Sequence, residues 1–341
     1  MTGLGKTRSP TIIDVARRAG VSKSVVSRVF NEHGSVREQT RQQVLLAAKE
    51  LGYVVNAMAR AMVAHRTHTL GAFVRDAATP FYGHLLTALQ ERAAHHGYRV
   101  VTATGSGRFA VADEQRALET LVRLQVEALV VCSGLLPVAA VAPFTRRMPV
   151  VIAGRPETDD LVSSVFCDED AGGAGMADHL LGLGHRNVAV LRLGENQSLT
   201  MAPRTRAMIR RLTGAGANVL QVAGDRVEDV EAPVDEVLAH ADISAFMTPS
   251  DHYAISVLES LRRRHVAVPE QLSVTGYDGI GVLTTPLIGL TTWVQPIPEI
   301  GAQAVDAVVA ALDGLTLPPR HQPLPGRLLA GRTAAPFQAR H

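Results

Sequence analysis

Between Thr11 and Phe30 the chain reads Thr-Ile-Ile-Asp-Val-Ala-Arg-Arg-Ala-Gly-Val-Ser-Lys-Ser-Val-Val-Ser-Arg-Val-Phe, a stretch that leaves the backbone little choice. Thr11 followed three residues later by Asp14 is a capping-box-like helix start, and the acid also faces the positive end of the helix dipole. Ile12, Val15, Ala16 and Ala19 recur at helical spacing and make one apolar face. Gly20 supplies the backbone freedom that a tight interhelix turn needs. Ser22 caps a second helix, with Val25, Val26 and Val29 pointing inward and Lys23, Ser24, Ser27 and Arg28 pointing outward. Hydroxyls and cations at the N-terminal end of a helix suit the base edges and phosphates of a DNA major groove. An ordinary helical hairpin with a solvated charged face shares this spacing, so the residues that follow decide.

They continue in the same sense. Ser35 and Glu38 make a second capping box before a helix over Thr40 to Leu51, in which Val44, Leu45, Ala48 and Leu51 share a face and Gly52 ends the run. Asn56 then caps a short helix bearing Met58, Ala61 and Met62. A helix of about two turns is marginal alone in water and needs a partner, either its twin or nucleic acid. Charge agrees: residues 1–70 carry +7 while the whole chain carries +2, so the other 271 residues sum to −5. Phosphate attraction is thus concentrated where the groove-reading helix lies.

Residues 11 to 62 resemble the headpiece and hinge of the lactose-repressor/galactose-repressor (LacI/GalR) family of bacterial transcription regulators. The matching words are Asp14-Val15-Ala16, Ala19-Gly20-Val21-Ser22, Val26-Ser27-Arg28-Val29, Thr40-Arg41, Leu51-Gly52-Tyr53, and Asn56-Ala57 with Ala59-Arg60. The resemblance implies that the second helix reads the major groove, with Lys23 and Ser24 at the principal specificity positions and Arg28 at a further base-contacting one. It also implies that paired hinge helices wedge an apolar side chain into the minor groove. Val55 stands where the family usually has Pro, and Met62 where the wedging Leu usually stands; Met is an acceptable wedge, whereas a hinge without Pro is less pre-set. The expected DNA-contacting set is Thr11, Ser22, Lys23, Ser24, Ser27, Arg28 and Asn31 in the headpiece, with Asn56, Ala59 and Met62 in the hinge.

From Leu70 onward strand-like and helical patterns alternate: strands at Leu70–Val74, Tyr98–Ala103, Ala128–Cys132 and Val150–Ala153, with helices over Phe81–His95 and near Asp113–Arg123. A second series begins at Val162, with helices over Gly172–Leu183 and around Arg204–Thr213. Its strands are Val188–Leu193 and others near Val219, Ala245 and Ser273. Such alternation implies parallel sheets with right-handed crossovers, and a chain of 341 residues with 46% apolar content has room for two of them. Open α/β sheets bind ligands at the carboxyl ends of their strands. Cys132 and Cys167 match no metal spacing and read as reduced strand residues. No apolar run is long enough to span a membrane, and the first residues lack an apolar signal core. The expected location is the cytoplasm, nucleoid-associated when on DNA.

This body resembles the effector core of the same family, itself similar to periplasmic sugar-binding proteins. The stretches are Asp76 to Tyr82, Gly97-Tyr98, Pro149 to Ile152 with Arg155, Leu183 to Arg186, Val268-Pro269, Ser273 to Asp278, Leu290 to Thr292 and Gln295-Pro296. The implied fold is an all-α helix-turn-helix headpiece on a two-lobed periplasmic-binding-protein-like α/β core with Rossmann-like lobes. Expected boundaries are headpiece 1–53, hinge and linker 54–68, and core 69–341, with one lobe from 69–166 and 295–325 and the other from 167–294 and 326–341. The expected effector-binding residues are Asp76, Phe81, Tyr82, Arg155, Arg204, Asp251 and Asp278. Ser250 stands where the family usually has Asn, and the arginines suit a carboxylate, a phosphate or a sugar equally.

The expected protein is a homodimeric repressor of a near-palindromic operator, controlled by a small-molecule effector and needing no cofactor or metal. A solute-binding protein of the same core would carry a signal peptide in place of the basic headpiece. A nucleotide-dependent enzyme would need a glycine fingerprint at the first βα turn, which Gly71-Ala72-Phe73-Val74-Arg75 lacks; the loose match at Gly105 to Ala110 belongs to the second βα unit. Gly172-Gly173-Ala174-Gly175 reads as a close helix–strand approach, and His179 and His185, six apart, do not share a helical face for metal.

Overall fold

The computed structural model describes residues 10–31, 36–53, 66–105, 110–194, 197–224, 229–315 and 320–338, with the side chain of Asn31 excepted. It divides into two compact units, residues 1–67 and 68–341. The hinge residues Asn56, Ala59 and Met62, together with Ser35 and Val55, lie outside the described residues.

In the first unit, α1 (Ile12–Ala19), α2 (Lys23–Asn31) and α3 (Glu38–Leu51) close around a small core of Val15, Ala16, Val26, Val29, Val44, Ala47 and Ala48. The α1 capping box is formed: Thr11 N donates to Asp14 Oδ2 at 2.9 Å and Asp14 N to Thr11 Oγ1 at 3.4 Å. Such a cap contributes about 1 kcal/mol. Gly20 at φ 67° ends the helix in the left-handed region, letting Val21 N reach back to Ala16 O. The third helix differs from its expected face. Leu45 and Leu46 are 47% and 58% exposed while Ala47 is buried, so the inward row is Val44, Ala47, Ala48 and Leu51. At about 100° per residue Leu45 cannot share a face with Val44 and Ala48 together, and three helices this short approach closely enough for alanines to fill the interior. The helix starts at Glu38 behind Arg37, which makes no side-chain cap bond.

The second unit contains two six-stranded sheets. Its elements are β1 (Thr69–Val74), α4 (Pro80–His95), β2 (Arg99–Thr104), α5 (Val111–Arg123), β3 (Ala128–Cys132), α6 (Val138–Thr145), β4 (Val150–Ala153) and β5 (Ser163–Cys167), then α7 (Glu169–Gly182), β6 (Asn187–Arg192), α8 (Met201–Gly214), β7 (Asn218–Ala223), α9 (Glu231–Leu238), β8 (Ala245–Met247), α10 (Asp251–Arg263) and β9 (Ser273–Asp278). The chain finishes with β10 (Thr291–Val294), α11 (Ile297–Leu312), β11 (His321–Leu324) and β12 (Arg327–Leu329). One sheet has the order β11-β5-β4-β3-β1-β2 and is parallel throughout; the other has the order β12-β10-β9-β8-β6-β7, with β12 antiparallel at its edge. β5 pairs with β4 and thus belongs to the first sheet, although its sequence opens the second series of alternating elements. The chain leaves the first sheet after Cys167, returns after Val294, and crosses again between Leu324 and Arg327.

Continuous apolar runs such as Ala128–Cys132, buried at every position, are what a strand covered on both faces requires. The tail then straps the second sheet: Val274 N donates to Thr333 O, and Thr333 Oγ1 to Val274 O at 2.7 Å. His185 joins this strap. Buried at 2% exposure, it bonds Ser244 Oγ through Nδ1 and Ala335 O through Nε2, and burial lowers its pKa. It fastens the tail to the second sheet. Cys132 and Cys167 are buried thiols, each pushed up to about 12 by burial, which leaves them inert. Among the described residues no helix is long and apolar enough to cross a membrane.

Candidate functional site

Two sites take shape, one in each unit. In the headpiece, α2 buries Val26 and Val29 and leaves Ser22, Lys23, Ser24 and Arg28 exposed, with Ser27 half-buried. Val25, expected inside, is also only half-buried. Ser22 Oγ accepts from Val25 N at 3.3 Å and lies 2.8 Å from Ser24 Oγ, which fixes the first turn. No acid stands in that turn, so nothing there repels phosphate. Arg28 rests its Nε on Ser24 O at 3.4 Å, a weak contact that leaves the guanidinium free to swing outward. Thr11 is held by Asp14, its hydroxyl donating to Oδ2 at 2.6 Å.

In the second unit, polar side chains gather beyond the carboxyl ends of both sheets. After β1, Asp76 spends its oxygens on Ala78 N and Thr79 Oγ1, so it shapes the entry to α4. Phe81 and Tyr82 stand edge to face, 5.3 Å between centroids, in the first turn of that helix. Gly154, at φ 85° beyond β4, makes room for the Phe81 ring: a Cβ would sit 3.1 Å from Cζ. Tyr82 Oη accepts from Gly134 N at 3.2 Å, and burial pushes its phenol up to about 12. Beside it Glu114 accepts from Ser133 Oγ at 2.6 Å and faces Arg75 at 3.6 Å, its pKa raised by burial against both. Arg155 is 2% exposed, lies 3.4 Å from Glu157, and has Nε and Nη2 buried with no hydrogen bond among the described residues.

On the other sheet Arg204 is the hub. Glu169 grips it from two sides, at 2.7 Å from Nε and 2.9 Å from Nη2, while Pro249 O accepts from Nη1 at 2.5 Å. Its guanidinium lies 3.6 Å over the Tyr277 ring. Burial alone would lower its pKa; the Glu169 pair outweighs that and holds it above the usual arginine value. Asp278, at the end of β9 with φ 131°, accepts from Gln295 Nε2 at 2.6 Å and faces Arg204 at 3.5 Å. Asp251 is fully buried. Its oxygens accept from Thr292 Oγ1 at 2.5 Å and Ile280 N at 2.7 Å. The carboxylate is therefore a fastener of the loop after β9, which revises its expected place as an effector contact. Ser250 likewise caps α10, accepting from Tyr253 N.

The glycine cluster makes the close approach expected of it. A Cβ on Gly172 would collide with the Tyr277 hydroxyl and stand 2.8 Å from Trp293 Nε1, and one on Gly173 would stand 2.5 Å from Arg204 O. The two sheets' ends meet where Leu199 N donates to Gly134 O at 2.6 Å, and Ile280 packs into the core of the first sheet. Glu169, Gln295, Glu114 and Ser133 stand outside the expected set. Both glutamates sit in the first turn of a helix and there read as ordinary dipole partners; Gln295 lies inside a family-like stretch that carries no expected role for it.

Burial pushes Asp278 up to about 8, against the lowering effect of Arg204. Since an unfolded aspartate titrates near ~3.9, the fold favours the protonated carboxyl. The stability this contributes is complete below about pH 4 and is lost as the pH rises through about 8. Melting temperature is expected to fall between pH 5 and pH 8 more in the native chain than in Asp278→Asn, a difference that thermal melts at matched ionic strength read directly.

The comparisons with known proteins divide as the two units do. The family model described as bacterial regulatory proteins, lacI family, matches residues 11–56, and that of a periplasmic binding protein-like domain matches residues 177–334. The ribose operon repressor of Escherichia coli (strain K12) is 30% identical over 319 residues, covering 90% of this chain and 94% of its own. Catabolite control protein A of Priestia megaterium is 28% identical over 324 residues, covering 93% and 97%. Among solved structures, the lac repressor dimer bound to operator and the anti-inducer ONPF has the same fold, with a TM-score of 0.83 at 24% identity over 96% of this chain and all of that one. The transcriptional regulator CelR with cellobiose follows at a TM-score of 0.70 and 28% identity, covering 95% and 99%.

Proposed function

Because the chain belongs to the lacI family of bacterial regulatory proteins, and is thus a DNA-binding transcriptional regulator, we propose that it is a dimeric repressor whose grip on a near-palindromic operator is set by a small polar effector. The observation that supports this best is the outer face of α2, where Lys23, Ser24 and Arg28 stand exposed on a first turn free of acids. Each α2 enters the major groove of one half-site, Lys23, Ser24 and Arg28 reading base edges and Thr11, Ser22, Ser27 and Asn31 holding the backbone. Asn56, Ala59 and Met62 of the hinge occupy the central minor groove. Leu287 and Val282, 86% and 66% exposed, offer apolar surface for the pairing of two copies.

The effector sits between the sheets, against Phe81, Tyr82, Arg155, Arg204 and Asp278. Two regulators similar to this chain are a ribose operon repressor and one solved with cellobiose, which favours a sugar-like effector here. It acts only through its different affinity for the operator-competent and incompetent states. The protein works in the cytoplasm, on the nucleoid, and is not an enzyme. Selecting bound fragments from the source genome with purified protein tests the proposal. An enriched near-palindrome supports it, and its neighbouring genes nominate effectors; fragments without dyad symmetry would refute the dimeric reading.

A further inference from the structure

Three arginines at the sheet ends, Arg155 and Arg204 of the expected set and Arg75 beside them, each arrive with a glutamate. Arg75 Nε lies 3.6 Å from Glu114, Arg155 Nη2 lies 3.4 Å from Glu157, and Arg204 Nε lies 2.7 Å from Glu169. The third pair is closed. Four of the five guanidinium N–H groups are engaged, two by Glu169, one by Pro249 O and one by Asp278. Arg204 and Glu169 are 2% and 4% exposed, so neither exchanges its partner for water. Asp251 and Asp278 add two further buried carboxylates around this one guanidinium.

We propose that Glu169 is a specificity-determining residue: by occupying Arg204 from within, it bars effectors that carry a carboxylate or phosphate and reserves the cleft for uncharged ligands rich in hydroxyl groups. This rests on the reading of the cleft as the effector site. An incoming anion would have to displace Glu169 and leave that carboxylate buried without its guanidinium, a penalty that works as a built-in discrimination against anions. An uncharged hydroxyl meets no such obstacle. It can share a hydrogen bond with Asp278 Oδ2, which accepts none from the described residues, and accept from Arg155 Nε, which is buried with no hydrogen bond among them. The arginines alone suit carboxylate, phosphate and sugar equally; the glutamate brought to Arg204 by the fold decides among them.

The test compares the full-length protein with Glu169→Gln, which keeps the shape and one acceptor but removes the charge. Thermal shift and calorimetric titration use inorganic phosphate, ribose with ribose 5-phosphate, and glucose with glucose 6-phosphate and glucuronate, at constant ionic strength. The native chain is expected to respond to none of the anions. E169Q is expected to bind inorganic phosphate roughly tenfold tighter or more, the gain of one charge-assisted contact, and to lose that gain when Arg204→Lys is added. Should E169Q fold too poorly to assay, the native chain still decides. Its binding of a sugar phosphate or a uronate, abolished by Arg204→Lys, would overturn the proposal. So would a folded E169Q with no new affinity for phosphate. Failure of the effector reading is a separate result: no compound from a broad metabolite panel alters operator affinity, whatever E169Q does with phosphate.

Discussion

Arg28→Ala is expected to weaken operator binding roughly tenfold to a hundredfold, the worth of one good base-edge contact, while leaving the melting temperature unchanged. The second half of that expectation follows from the surroundings of Arg28. It is exposed, forms among the described residues a single long contact, to Ser24 O in its own helix, and takes no part in the headpiece core. The first half follows from where the helix places it, on the outer face of α2 five residues beyond Lys23. Titrations of operator and of unrelated DNA across a salt series separate the two possible contacts. If Arg28 reads a base edge, operator affinity falls far more than affinity for unrelated DNA. If it touches only phosphate, both fall together and the salt slope drops by about one. The second pattern would contradict the docking proposed here.

What could be read in the sequence and what could not divide along a physical line. Helix starts and stops depend on a few neighbouring residues, so Thr11 with Asp14 and Gly20 place α1 within the chain before any tertiary contact is considered. Strand runs such as Ala128–Cys132 and Val150–Ala153 were legible because burial on both faces leaves only apolar residues in them. Burial within α3 was not fully legible: Val44-Leu45-Leu46-Ala47-Ala48 offers an apolar residue at every step, so composition does not say which face turns inward. The alternation of strands and helices hides the sheet allegiance of β5, because it continues unbroken while the chain changes lobes; only the boundary at 166 implied by the family resemblance puts that strand with the first lobe.

The charge pairing of the cleft was the least legible feature. Arg204 and Asp278 stand out as polar residues at expected positions, yet Glu169 lies 35 residues from the arginine it clamps. In one dimension it is simply an acid in the first turn of a helix, favourable there for a local reason. Asp251 deceives in the opposite way. It sits beyond a strand end, where a ligand contact is expected, but Thr292 and the Ile280 amide use its oxygens for the fold. Three strands must assemble before these partners meet. A carboxylate's availability is therefore a property of tertiary structure, and residue type with position gives only the candidate.

Arg204→Met should be the most destabilising of the substitutions considered, lowering the unfolding free energy by about 3–5 kcal/mol. The cost comes less from the hydrogen bonds that disappear than from the groups left behind. Glu169 and Asp278 would remain buried with no cation beside them, Pro249 O would lose its donor, and the Tyr277 ring its guanidinium. Asp278, already pushed up to about 8 by burial, would lose the cation that lowers its pKa, so the defect should be worst at alkaline pH and partly relieved in acid, since a carboxyl whose folded pKa is raised loses stability as the pH rises. Adding Glu169→Met removes one of the stranded charges and supplies an apolar side chain of similar length. The double variant should therefore recover much of the loss, with a coupling of about 2 kcal/mol or more between the two positions in a denaturant cycle. Equal and additive losses would mean that each residue is held by its other neighbours and that the pair does not act as a unit. In that case the guanidinium would remain open to a ligand's anion, and the selectivity assigned to Glu169 would lose its structural basis.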